Sequence, residues 1–330
     1  MRSARIRLPG HPDAACDVVA ETIVDEYLRR DPEARIRVSV TGGCGALFVA
    51  GDVKTTADFD VAALVRRTLG SLGVIIDIEP FVSIEPVAPE AAPDFLEGIV
   101  VPYDVMGYAT DETPDFLPAP VSGAIRIAKR LDDLRTTDEQ WFWLGPDAEV
   151  FVQAGNKKPD FVSLHVEHGM VPVADVRKQI TELAHAILPG TDVRVNEFGA
   201  TDARGLAHAT GTSSRFSSPY GSVLPSVSCG IGMDPRNPKK AAPWILRAAA
   251  RELVKTHSLR AAFIRAVYLP GDREPRFLSV RDELGKDRTS LLSKEQVSLD
   301  RINEWIQPGL SVQAARYTFV GDPSLPWEMV

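Results

Sequence analysis

Between Asp13 and Leu28 the apolar residues return at helical spacing: Val18, Val19, Ile23, Val24 and Tyr27 share one stripe, and Asp31-Pro32 stops it. This pattern predicts an amphipathic helix. Two β-rich runs follow, Arg35 to Val40 and Ala46 to Val53, joined by Gly42-Gly43-Cys44-Gly45. The glycines suit a hairpin tip that needs positive φ angles, and a phosphate-cradling loop is the alternative. A second amphipathic helix over Asp60 to Leu69 and an apolar strand over Val74 to Ile78 complete the order helix, strand, strand, helix, strand.

That order returns twice. Ala119 to Leu134, Ala148 to Ala154, Phe161 to Glu167, Val173 to Leu188 and Asp192 to Glu197 make the second copy. Lys240 to Thr256, Ala261 to Tyr268, Arg276 to Val280, Lys294 to Ile306 and Ser311 to Val320 make the third. A unit with so few strands cannot close its own core, so the repetition predicts an α+β fold of three α/β units around a pseudo-threefold axis. The units are placed at 1–113, 114–225 and 226–330, with interwoven boundaries. Glu79 to Pro93 and Ala209 to Pro225, rich in Pro, Gly or Ser, read as long loops over a site.

Composition narrows the function. With 330 residues, 44% hydrophobic and 25% charged, the chain has ordinary globular composition and is too long for one ordinary core. A net charge of −8 opposes a broad nucleic-acid footprint and favours small-molecule partners. No apolar run approaches the roughly 18 residues of a membrane span, and Met1 to Pro9 lacks an apolar signal core, so a cytoplasmic protein is expected. Cys16, Cys44 and Cys229 are odd in number and widely spaced, which suits reduced thiols. His165 and His168 lie three apart on a predicted strand and so point to opposite faces, a poor metal clamp.

Gly10-His11-Pro12-Asp13 opens the first helix, Gly107-Tyr108-Ala109-Thr110-Asp111-Glu112-Thr113 precedes Leu117-Pro118-Ala119-Pro120, Leu144-Gly145-Pro146-Asp147 forms a turn, and Pro326-Trp327-Glu328 lies near the end. In this order and at these intervals the motifs resemble the S-adenosylmethionine synthetases over the whole chain. The resemblance implies a three-unit fold, dimers built on flat sheets and possible pairing of dimers into tetramers. It implies a reaction in which methionine sulfur attacks C5′ of ATP and expels the triphosphate, which is then hydrolysed. Such a leaving group demands cations fixed in advance around the phosphate oxygens.

By the same resemblance His11 is the catalytic residue beside the reacting carbon, Asp13 a magnesium ligand, Asp52 a carboxylate toward the methionine ammonium, and Asp147 a nucleotide contact. Each has a plainer role as helix cap, first-turn acid, strand-end acid or turn residue. The pattern also breaks. Glu149 stands where the family has a phosphate-binding lysine, an inversion of charge expected to repel a triphosphate. Val101-Pro102-Tyr103-Asp104 replaces a glycine-rich stretch and its substrate-binding aspartate. Ser39 replaces the monovalent-cation carboxylate, so loss of that ion site is expected. Met233 and Asn237 replace lysines, and Lys239 takes the place of a metal aspartate. Arg215, Lys239 and Lys240 are therefore the remaining candidates for phosphate, with solvated helix-start or loop positions as their plain reading. Three functions follow: a methionine adenosyltransferase, a relative using another nucleotide or nucleophile, or a non-catalytic partner of a synthetase.

Overall fold

The computed structural model describes residues 1–87, 99–155, 158–200, 204–215, 218–225 and 229–329. Helix α1 (Pro12–Arg30) leads into β2 (Arg35–Gly43) and β3 (Ala46–Lys54), then α2 (Val61–Ser71) and β4 (Glu79–Pro86). The glycine tip is a hairpin: β2 and β3 pair antiparallel down to Gly43↔Ala46, and Cys44 itself takes a φ of 54°. The second copy repeats the scheme with α3 (Ala119–Thr137), β6 (Leu144–Ala154), β7 (Pro159–His168), α4 (Val173–Ile187) and β8 (Asp192–Val195). In both copies the final strand runs parallel to its predecessor, β4 on β3 and β8 on β7, as a helical crossover permits.

The third copy departs from its expected ending. Helix α5 (Pro238–His257) and strands β10 (Ala261–Tyr268) and β11 (Phe277–Asp282) form, but Lys294 to Ile306 holds two 3₁₀ turns, Glu295–Val297 and Leu299–Glu304. Ser298 is the cause: its backbone is extended, with φ −61° and ψ 139°, and its hydroxyl caps the second turn. The expected strand Ser311 to Val320 instead opens with helix α6 (Leu310–Ala315), because Asp25 of α1 accepts the Ser311 and Val312 N–H groups at 3.3 and 2.9 Å. The strand expected at Val74 to Ile78 is displaced to β4, which lies at a sheet edge where Pro80 and Pro86 are tolerated. Glu79–Pro86 is therefore strand rather than loop, and positions 88–93 of that stretch lie outside the described residues.

An unforeseen strand, β1 (Arg2–Arg7), pairs antiparallel with β6, and β5 (Tyr103–Thr110) pairs with β10. The sheets are thus β1-β6-β7-β8, β11-β10-β5 and β4-β3-β2-β9, the last including the short β9 (Gly211–Thr212). Two strands from the first hundred or so residues therefore complete the sheets of the later units. One apolar core holds α1, α2 and β2–β4 through Val19, Ile23, Ile36, Val49 and Leu69. The other joins the remaining units through Ile6, Val150, Val162, Trp244 and Trp327. The Pro-Trp-Glu motif forms α7 (Pro326–Met329), where Trp327 stacks on Trp244 at 4.1 Å and Glu328 receives the buried Arg247 guanidinium at 2.7 and 3.0 Å.

Candidate active site

Two close backbone approaches bring the sequence motifs together. A Cβ on Gly10 would lie 2.4 Å from Pro146 Cβ, and one on Gly211 would lie 2.0 Å from Pro12 O. Only glycine lets the Gly-His-Pro-Asp segment rest on the Pro146-Asp147 turn on one side and on β9 on the other. The Leu8 N–H donates to Ala148 O at 2.9 Å, fixing the register of the approach.

His11 is the N-cap of α1, and its Nδ1 accepts the Asp13 N–H at 3.2 Å. An accepting Nδ1 assigns the proton to Nε2, which is then a donor. Burial first, and then the fields of Arg7, Arg204 and Arg5, push the imidazole down to about 3, so it stays neutral at physiological pH. Capping and chemistry therefore coexist in one ring: one nitrogen holds the helix start, the other is left to donate.

The arginines around His11 supply what the sequence reading lacked. Arg7 Nε lies 3.3 Å and Arg5 Nε 3.4 Å from the Glu149 carboxylate, with Arg7 directly opposite Glu149 in the β1–β6 register. The inverted charge at Glu149 is thus compensated by a strand whose two apolar residues, Ala4 and Ile6, gave too short a pattern to read. Arg204 reaches Asp147 Oδ2 at 3.2 Å, beside the Gly205 N–H at 2.9 Å. Asp147 Oδ1 is buried and has no hydrogen-bond partner among the described residues. Burial raises Asp147 above the usual carboxylate range, as it does Glu167, whose Oε2 accepts the Asp147 N–H at 3.0 Å.

Asp13 is buried, and both its oxygens are occupied: Arg7 at 3.2 Å, Arg215 at 3.5 Å and the Thr212 N–H at 3.0 Å. Among the described residues no group of three or more His, Cys, Asp or Glu side chains could hold a metal ion. This donor set does not fit a magnesium ion held by the protein alone; guanidinium groups stand where the resemblance places the metal.

Asp13 begins a ladder along one face of α1. Asp17 Oδ1 accepts the Ser214 N–H at 2.6 Å, Glu21 the Gly232 N–H at 3.2 Å, and Asp25 the two α6 amides already described. Lys240 belongs to this ladder and not to the His11 cluster. Its Nζ is buried, ion-paired with Glu21 and bonded to Met233 O at 2.7 Å, which removes it from the phosphate candidates that the sequence offered. Lys239 sits half-buried at the start of α5, where Asn237 caps the helix by accepting the Lys239 N–H at 3.0 Å. Asp52 faces Arg37 across β2–β3 in a two-pronged pair at 3.0 and 2.6 Å. Arg215 joins the site through Asp13 with 61% of its side chain exposed.

Known proteins share this architecture and sequence. Residues 5–81 match the S-adenosylmethionine synthetase N-terminal domain and residues 104–188 its central domain. An S-adenosylmethionine synthase of Deinococcus deserti is 27% identical over 97% of this chain and 94% of its own length. An S-adenosylmethionine synthase 1 of Frankia casuarinae is 29% identical over 81% of this chain and 78% of its own. The fold matches the structure of an unusual S-adenosylmethionine synthetase from Campylobacter jejuni with a TM-score of 0.84 at 18% identity, covering 99% of this chain and 96% of that one. From the motif order, the fold and these matches together, the chain is a divergent member of the S-adenosylmethionine synthetase family.

Proposed function

We propose that the protein transfers the adenosyl group of ATP to a sulfur nucleophile, with methionine the leading acceptor. The sulfur lone pair forms the bond to C5′ as the C5′–O bond breaks, and the electron pair leaves on the triphosphate oxygen. The observation that carries this reading is the setting of His11: a neutral imidazole with a donor Nε2, in the fields of Arg5, Arg7 and Arg204. A neutral donor stabilises the departing oxygen, while the guanidinium groups face the charge that develops on the phosphates. Asp147 Oδ1, a buried acceptor lacking a partner among the described residues, suits a ribose hydroxyl. Magnesium would accompany the triphosphate as its counter-ion.

A second reading, a non-catalytic scaffold, draws on the balance of charge: Arg5, Arg7, Arg204 and Arg215 face Asp13, Asp147, Glu149 and Glu167. The purified chain incubated with ATP, magnesium and L-methionine distinguishes the two. Adenosylated product and released phosphates, both lost in His11→Ala, support transfer; absence of thermal stabilisation by millimolar nucleotide ends it.

We also infer a cytoplasmic homodimer. No helix among the described residues is long and apolar enough to cross a membrane. The solvent face of the β4-β3-β2-β9 sheet carries Phe48 and Phe81, half exposed and stacked at 5.1 Å, which favours a second copy as its cover.

A further inference from the structure

A groove of about 690 Å³ opens between α3 and α4, and no residue of the His11 cluster lines it. That is the size of a small-molecule site, typically about 300–1,000 Å³. Gly123 near the start of α3 meets Leu188 at the end of α4, where a Cβ on the glycine would lie 3.0 Å from Leu188 Cδ1, so the two helices run antiparallel. Three chemistries then follow one another along the groove. At one end Arg126 and Arg130 stand one turn apart on α3, exposed and without a hydrogen bond or ion pair among the described residues. Midway, α4 contributes Glu182, also exposed and without such a partner. At the other end the 3₁₀ turn Glu139–Trp141 contributes Trp141, half-buried and stacked on Trp143 at 5.2 Å, beside Asp138 and Gln140. We propose that this groove binds a purine nucleoside monophosphate, its phosphate on Arg126 and Arg130, its ribose hydroxyls on Glu182 and its base on Trp141.

Order, spacing and charge all select that ligand. From Arg126 to Leu134, on the groove floor before the 3₁₀ turn, α3 rises by about 12 Å, the reach of an extended mononucleotide. Two guanidinium groups on one helix face suit a phosphate, which takes two-pronged hydrogen bonds. Lys129 stands between them in sequence but is engaged, its Nζ 3.2 Å from Asp322 Oδ2 and 5.8 Å over the Tyr317 ring. At the far end Asp138 Oδ1 accepts the Gln140 N–H at 2.9 Å, which leaves Oδ2 to accept from the exocyclic amine of a base over Trp141. Asp133 and Asp138 there oppose a second phosphate, so a single terminal phosphate fits and a nucleic-acid strand does not. The same division of charge disfavours a uniformly acidic or basic helix from a partner protein. Nothing in the groove depends on the adenosyl-transfer reading.

The test is calorimetric titration of the full chain with AMP. Wild type is expected to bind it, and ribose 5-phosphate and adenosine, which lack the base and the phosphate, at least ten-fold more weakly. Arg126→Ala/Arg130→Ala and, separately, Trp141→Leu weaken AMP at least ten-fold; the arginines are exposed, so the double variant should melt as wild type does. His11→Ala distinguishes the two regions of the molecule, since the groove keeps its AMP in that variant. Should wild type take up two AMP per chain, the arginine variant retains one and the His11 variant the other. The proposal is overturned if wild type does not bind AMP, if inorganic phosphate binds as tightly as AMP, or if AMP binding is lost in His11→Ala and unchanged in the arginine variant.

Discussion

Substituting Glu149→Gln tests whether the arginines of β1 are cations held in reserve for a polyanion. Glu149 now absorbs both: its side chain is 21% exposed and its oxygens lie 3.4 and 3.3 Å from Arg5 and Arg7. Removing one negative charge leaves the cluster one unit more positive without changing its shape. For a phosphate charge about 7 Å away, the gain runs from roughly 0.6 kcal/mol in a water-like dielectric to roughly 2.4 at an effective value near 20, or roughly 3- to 50-fold in affinity. The lost ion pairs are partly exposed, so the fold should weaken by only about 0.2–1 kcal/mol. Titration with a non-hydrolysable ATP analogue at low and high salt measures the effect, and the gain should shrink with salt. Unchanged or weaker affinity at low salt, in a variant that melts normally, would refute the idea that these arginines face the phosphates.

Three further outcomes are expected. Because His11 is pushed from 6.5 to about 3 in the fold, the unfolded chain binds the extra proton between those values, and the folded protein loses about 5 kcal/mol of stability as pH falls through the window. Urea midpoints across that range should show a shallower slope in His11→Asn, which keeps a capping oxygen; the raised acids Asp17 and Glu21 act in the opposite direction in both proteins and drop out of the comparison. Lys240→Ala strands Glu21 in the core and should cost about 3–5 kcal/mol in chemical denaturation, with most of it recovered in the double variant Glu21→Leu/Lys240→Met. Phe48→Glu should shift the chain from dimer to monomer in light scattering without loss of helical circular dichroism; a variant that stays dimeric would place the interface elsewhere.

The second repeat, and the first as far as α2, could be read from periodicity because their helices and strands carry apolar stripes, whereas β4, with Pro80 its one buried residue, carries none and was expected too early in the chain. The third could not, since its ending depends on distant partners: Asp25 caps α6 from 286 residues away. Strand β1 escaped notice because three of its six residues are arginines and its only buried apolar side chains are Ala4 and Ile6. The same gap hid half of the candidate site. His11, Asp13 and Asp147 stand in motifs, but the compensation of Glu149 exists only in the β1–β6 register, and Arg204 is placed by the turn at Gly205. Lys240 misled in the opposite sense, for a lysine at a helix start gives no sign that a buried glutamate in another helix awaits it.

The carboxylates at 13, 17, 21 and 25 make α1 a ruler. Each graduation catches amide hydrogens from a segment that arrives much later in the chain: Thr212, Ser214, Gly232, then Ser311 and Val312. Inserting a single residue within that helix would swing every graduation beyond it by about 100°. These segments would then lose their common reference at once, so lengthening α1 by one residue should be far more damaging than replacing any one of its acids.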